Sequence, residues 1–218
     1  MTKRISLFLA VLSFLFTVCG CQPDGPPRIV EKAKHPTFTS NPIPVPTPPK
    51  SYVRPKVGTA PPGWVPPRKC ENGWKAIVIH HSYTKRGNMK AFDRYHRDDH
   101  KWKGVGYDFV IGNGNGSGNG QVEVTFRWRQ QIVGAHCGGT RNNWANEDGI
   151  GICLVGDFTK TVPTYRQMDS LAKLVRFLQD RYKIPKSRIY GHRTTPGYKN
   201  GTKCPGKYFP MTRLKRML

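Results

Sequence analysis

The run Ile77-Val78-Ile79-His80-His81-Ser82 constrains this chain more than any other stretch. Apolar β-branched residues at this density favour a buried strand, and this strand ends on two imidazoles. A strand that delivers a fixed imidazole to one end of a sheet is a common start for a metal site, so matching ligands are sought downstream. His192 in Tyr190-Gly191-His192-Arg193 and Cys204 in Lys203-Cys204-Pro205-Gly206 are of the right types. Zinc takes imidazole nitrogen and thiolate, and a catalytic zinc keeps three protein ligands with one position open. Adjacent strand residues leave on opposite faces, so only one of His80 and His81 easily reaches a given metal. The residues alone do not choose between them.

The surrounding pattern mixes strands and helices. Lys75 to His80 reads as a buried strand after Asn72-Gly73, and Asn88 to His100 as a helix with Met89, Phe92, Tyr95 and His96 on one side. Val105 to Ile111 reads as a second strand. The glycine- and asparagine-rich run Gly112 to Gly120 then leads to a hairpin partner over 121–126. That run has no GxxxxGK[ST] pattern, which excludes a phosphate-binding loop of that type. Gln131 to Gly134 is expected as a short strand, Ala135 to Asp148 as a loop, and Gly149 to Gly156 as a strand central enough to be apolar on both faces. Thr164 and Gln167 form a capping box for a helix whose apolar stripe runs to Lys183, where Ile184-Pro185 stops it. A brief strand at Arg188 to Gly191 and a terminal helical turn at Leu214 to Leu218 complete an α/β domain, a central mixed β-sheet flanked by helices.

The N-terminal third has a different character. Lys3 and Arg4 precede a short apolar run from Ile5 to Val18, and Val18-Cys19-Gly20-Cys21 follows. Residues 1–21 read as an export signal of lipoprotein type, with cleavage before Cys21 and lipid on its sulfur; the alternative is an ordinary cleaved signal. Residues 22–69 hold fourteen of the nineteen prolines, all by Pro67. Such a segment stays near extended polyproline II, with a reach on the order of 100 Å. It reads as a stalk between a lipid anchor and a working domain, or as a tail without an assigned task.

Residues 70–218 carry 26 Lys plus Arg against 11 Asp plus Glu, so +15 of the formal +23 lies there. That charge favours an anionic partner, and for an exported chain an envelope polymer or a carboxylate-bearing substrate comes before nucleic acid. Trp102, Trp128 and Trp144 beside Arg127, Arg129 and Arg141 keep a base-stacking binder as the rival reading. No nucleic-acid motif of the usual kinds accompanies them, so no nucleic-acid partner is expected. His96 and His100 sit at i, i+4 without a third ligand at zinc spacing. In an oxidising compartment Cys204 is spared by holding metal and Cys153 reads as a buried strand thiol. Cys70 and Cys137 are left as a candidate disulfide.

Six motifs in order carry a resemblance: Ile79-His80-His81-Ser82, Val105-Gly106-Tyr107-Asp108-Phe109, Gly134-Ala135-His136, Gly149-Ile150-Gly151-Ile152, Gly191-His192-Arg193 and Thr202-Lys203-Cys204-Pro205-Gly206. Over roughly Lys75 to Leu218 the chain resembles the zinc-dependent N-acetylmuramoyl-L-alanine amidases of type 2, a family that includes phage endolysin amidases and peptidoglycan recognition proteins. The resemblance implies that His80 rather than His81 ligates Zn2+, with His192 and Cys204. It implies that Tyr107 lies beside the metal and polarises the scissile carbonyl or orients water, and that Thr202 is a second catalytic position. His136, at the edge of the cleft, and Arg193 are the implied substrate contacts. Cys153 stands where another branch has a catalytic Glu, which places this chain with the phage and recognition-protein group. The implied substrate is peptidoglycan, cut between N-acetylmuramic acid and L-alanine. The expectation is a monomer at the cell envelope, tied to a membrane through Cys21; the rival within the fold is a catalytically silent peptidoglycan-binding domain.

Overall fold

A computed structural model of the chain describes residues 60–61 and 63–218. The export signal over 1–21, its lipid site at Cys21 and most of the stalk over 22–69 lie outside the described residues. Among those described, no helix is long and apolar enough to cross a membrane.

The elements in chain order are β1 (Ala76–His81), α1 (Met89–Asp98), β2 (Phe109–Ile111), β3 (Val122–Val124), α2 (Phe126–Gln130), α3 (Trp144–Glu147), β4 (Gly149–Leu154), α4 (Tyr165–Tyr182), β5 (Ile189–Gly191) and α5 (Met211–Met217). The five strands form one mixed sheet in the order β3-β2-β4-β1-β5. β4 is its middle strand and pairs in parallel with β1 and β2, β5 is parallel to β1, and only β3 is antiparallel. The apolar residues on both faces of β4 are explained by this central place: all six of its residues are buried.

Alternation divides the two faces. Ile77 and Ile79 of β1 join Ile150, Ile152 and Leu154 of β4 in one cluster with Leu171, Leu174, Val175 and Leu178 of α4. Val78 and Val110 belong to smaller clusters on the other face, with Ala145 and with Phe92 of α1 respectively. The strand parity therefore sends His80 to the face of Val78, away from α4, and His81 toward α4. Helix α4 begins where its capping box predicts, with Thr164 accepting from Gln167 N–H. The Gln167 side chain also donates to the carbonyls of Ile111 and Val155, which pins the helix start to the ends of two segments of the sheet.

Three local expectations are corrected. Gln131 to Gly134 is not a strand: Thr125 caps the short helix α2, which ends at Gln131 in the left-handed region, and Ile132 N–H returns to Arg127 O. The Val133 carbonyl is taken by the Arg127 guanidinium, which also donates to Val105 O at 2.6 Å, so no ladder forms there. The second strand is limited to Phe109–Ile111 because the backbone of Val105 and Gly106 is bonded to Asp93 Oδ1, His96 Nδ1 and Ala135 N–H instead. The third correction concerns cysteine: Cys70 lies exposed in a surface turn, Cys137 is fully buried near Val78 and Ala145, and neither is bridged.

Asp108 is fully buried at the start of β2, its Oδ2 accepting from Gly151 N–H at 2.8 Å. Burial pushes its carboxyl from 3.8 up to about 7, against the pull of the Gly151 N–H and the Arg127 guanidinium. The folded chain thus holds this proton more tightly than the unfolded one. The stability it confers is full below about pH 4 and is lost as pH rises through about 7. Asp108→Asn keeps an acceptor for Gly151 and removes the charge. In denaturant unfolding, the variant-minus-parent stability difference is expected to grow by about 3 kcal/mol between pH 4.5 and pH 8. A difference that stays flat would show that Asp108 is ionised in the fold throughout.

Candidate metal centre and its cleft

His80 stands at the sheet end of β1, opposite Cys153 of β4 in the register and 1% exposed. His192 follows β5 directly, in a turn that continues from Gly191, and Cys204 lies in the segment that returns to the sheet before α5. One donor atom from each of these three residues lies within 4.8 Å of the other two. Nδ1 of His80 is 3.6 Å from Sγ of Cys204. The structure therefore brings the three separated sequence motifs to one point.

The donor set fits a soft divalent cation such as zinc. Burial first of all holds the imidazoles neutral, with His192 down to about 4 and His80 well below its ordinary value. Nε2 of His192 is buried without a protein partner, as expected beside a centre completed by an ion. Burial pushes the Cys204 thiol up to about 12, and the His81 backbone N–H that donates to Sγ at 3.4 Å offsets this only partly. A cation would supply the positive charge that a buried thiolate needs.

His81 takes no part in the cluster through its side chain. Its ring packs on Phe158, and Nδ1 accepts from Phe158 N–H at 3.0 Å. Tyr107 lies beside this donor cluster, its ring 5.2 Å from that of His80. Burial pushes its phenol far above its ordinary value, and the Cys153 thiol adds to the shift, so the hydroxyl stays protonated. Cys153 itself is buried on β4, and no carboxylate lines the cleft among the described residues.

The remaining sequence candidates are placed differently. His136 lines the cleft but is 7% exposed, with Nδ1 3.1 Å from Nε2 of His80. Thr202 lies outside the cleft lining, in the turn before Cys204, and its Oγ1 accepts from Cys204 N–H at 3.2 Å. Arg193 is exposed and also outside the lining; its backbone N–H donates to Cys204 O at 2.9 Å. Both residues hold the loop that carries the cysteine.

The cluster forms the floor of a cleft of about 630 Å³. Its rim was not legible in the sequence. One part is the loop after β1, with Tyr83, Thr84 and Arg86; the other is aromatic, with Tyr95, His100 and Trp102 from α1 and the turn after it. The glycine- and asparagine-rich run braces that first loop: Asn113 and Asn115 donate to Lys85 O, and Asn88 donates to Gly116 O. No spacing in the sequence marks this rim: Tyr95 is 51% exposed although its position shares a side with the buried Phe92 and His96.

The family model described as N-acetylmuramoyl-L-alanine amidase matches residues 71–207. A human N-acetylmuramoyl-L-alanine amidase is 28% identical over 142 residues, covering 60% of this chain and 22% of that protein. Peptidoglycan-recognition protein LB of Drosophila melanogaster is 26% identical over 141 residues, covering 60% of this chain and 53% of the fly protein. Among solved structures, N-acetylmuramoyl-L-alanine amidase LysC from Clostridium intestinale URNW superposes with a TM-score of 0.54 at 27% identity, over 66% of this chain and 85% of that one. The chain thus spans 22% of the human relative and 53% of the fly one.

Proposed function

This chain belongs to the N-acetylmuramoyl-L-alanine amidase family, and on that premise we propose that it is a zinc-dependent hydrolase. The bond it cleaves in this reading is the amide between the lactyl group of N-acetylmuramic acid and L-alanine in peptidoglycan. The observation that carries the reading is the meeting of His80, His192 and Cys204 within 4.8 Å at the floor of a cleft whose wall includes Tyr107. These three residues would hold the ion, which when bound supplies Lewis acidity toward the amide carbonyl and toward water.

The protein's own groups have distinct tasks. Tyr107 keeps its proton at neutral pH and stands against His80, so it donates a hydrogen bond to the carbonyl oxygen as negative charge develops there. The His81 N–H stabilises the sulfur of Cys204, and Thr202 shapes the turn that presents it. The basic charge of residues 70–218 draws in a wall polymer whose stem peptides end in carboxylates. The tyrosine rim and Trp102 give a muramyl peptide apolar surface to lie on.

The location proposed is the cell envelope, as a monomer held to a membrane by lipid on Cys21. Mass spectrometry of the membrane fraction tests the anchor, with an acylated mature N-terminus at Cys21 expected and an unmodified one excluding it. Metal analysis joined to hydrolysis of purified muramyl peptides tests the chemistry. One zinc per chain with release of the peptide supports the amidase; one zinc with intact substrate leaves a silent binding domain.

A further inference from the structure

The His136 ring is placed with more care than a cleft-edge contact requires. Two backbone N–H groups, of His136 itself and of Cys137, donate to Asn146 Oδ1 at 2.9 and 2.8 Å and fix the chain there. The ring then enters a slot between two glycines. A Cβ on Gly151 would lie 2.4 Å from its Cδ2, and one on Gly134 would lie 2.5 Å from the same atom. Real side-chain atoms do not approach so closely, so both positions need glycine for the ring to fit. At the far end of the ring Nε2 lies 3.1 Å from Gly149 O, and at the near end Nδ1 lies 3.1 Å from Nε2 of His80.

These contacts determine where the protons are. A carbonyl oxygen only accepts, so Nε2 of His136 carries a hydrogen. In a neutral ring Nδ1 is then a bare acceptor, and the hydrogen in the contact with His80 belongs to Nε2 of His80. The other nitrogen of His80, Nδ1, is left as a lone pair facing Cys204 Sγ at 3.6 Å. We propose that His136 is a positioning residue for the metal: anchored on the β4 backbone at Gly149, it sets the tautomer and the orientation of the ligand His80. The inference rests on the metal reading of His80, His192 and Cys204 but not on hydrolysis. Partners of this kind typically contribute about 10- to 100-fold to metal affinity.

The test compares His136→Leu with His136→Asn, two side chains of nearly equal shape of which only Asn offers an acceptor near the position of Nδ1. Zinc affinity is read by competition with a chelating dye, on protein shown by thermal melting to be folded. His136→Leu is expected to lose about 10- to 100-fold in zinc affinity, and His136→Asn to recover most of it. Equal losses in the two variants, or parent affinity in His136→Leu, would overturn the proposal. A second readout needs no variant: ring nitrogen NMR of the metal-free parent is expected to show the His80 proton on Nε2. A proton on Nδ1 of His80 would overturn the proposal even if neither variant folds. Loss of affinity in His136→Leu together with no hydrolysis by the parent would remove the amidase reading and leave the positioning role standing.

Discussion

Cys204→Ser is expected to leave a folded protein that holds no zinc and releases no stem peptide at a measurable rate. Cys204 is the only sulfur in the cluster and the only member able to bring negative charge to the ion, since His80 and His192 are neutral. A serine hydroxyl does not ionise in its place, and two neutral imidazoles alone bind a divalent cation weakly. The replacement is nearly isosteric and can still accept from His81 N–H, so the fold has no reason to fail. Lewis-acid stabilisation of the transition state is worth several kcal/mol, which places the fall in turnover at about 10³-fold or more. A stability measurement separates this from a packing effect. Zinc at a hundredfold its Kd should raise the parent's unfolding free energy by about 2.7 kcal/mol and the variant's by nothing.

Tyr107→Phe is the second large effect, and it has the opposite metal signature. The phenol's only contribution beyond its ring is the hydroxyl, which burial keeps protonated. Removing a donor aimed at a developing oxyanion lowers kcat by about 10²–10³-fold. The ring stays against His80 at a centroid distance of 5.2 Å, so zinc content and melting temperature should match the parent. With KM little changed, the loss would fall on kcat. Unchanged turnover in this variant would take Tyr107 out of the chemistry.

The histidine pair shows how far the sequence could be read. Strand alternation required one of His80 and His81 to face away from the candidate centre, and the structure sends His81 to Phe158 on the α4 side. The capping box at Thr164 and the apolar stripe of α4 were equally plain, because local hydrogen bonds and a 3.6-residue period settle a long helix without help from the rest of the fold. Residues 131–134 were misread as a strand because the deciding hydrogen bonds come from a side chain that no local pattern marks. Arg127 reaches across to Val105 and Val133 and takes the carbonyls a strand would have used. The close contacts that seat His136 were hidden for a related reason. Its position depends on the absence of side chains at Gly134 and Gly151, and only the assembled sheet puts Gly151 beneath its ring. The cleft rim needed the loop after β1 and the turn after α1 to come together, an arrangement that no spacing in the sequence encodes.

Cleavage of one particular amide in this cleft is read from the products of purified peptidoglycan. Zinc-loaded protein should generate new amino termini of L-alanine at the same rate as it frees lactyl carboxylates on otherwise intact glycan strands. Neither product should appear with Cys204→Ser. Zinc-loaded, folded protein that binds the wall material and yields no new L-alanine amino termini would contradict the account.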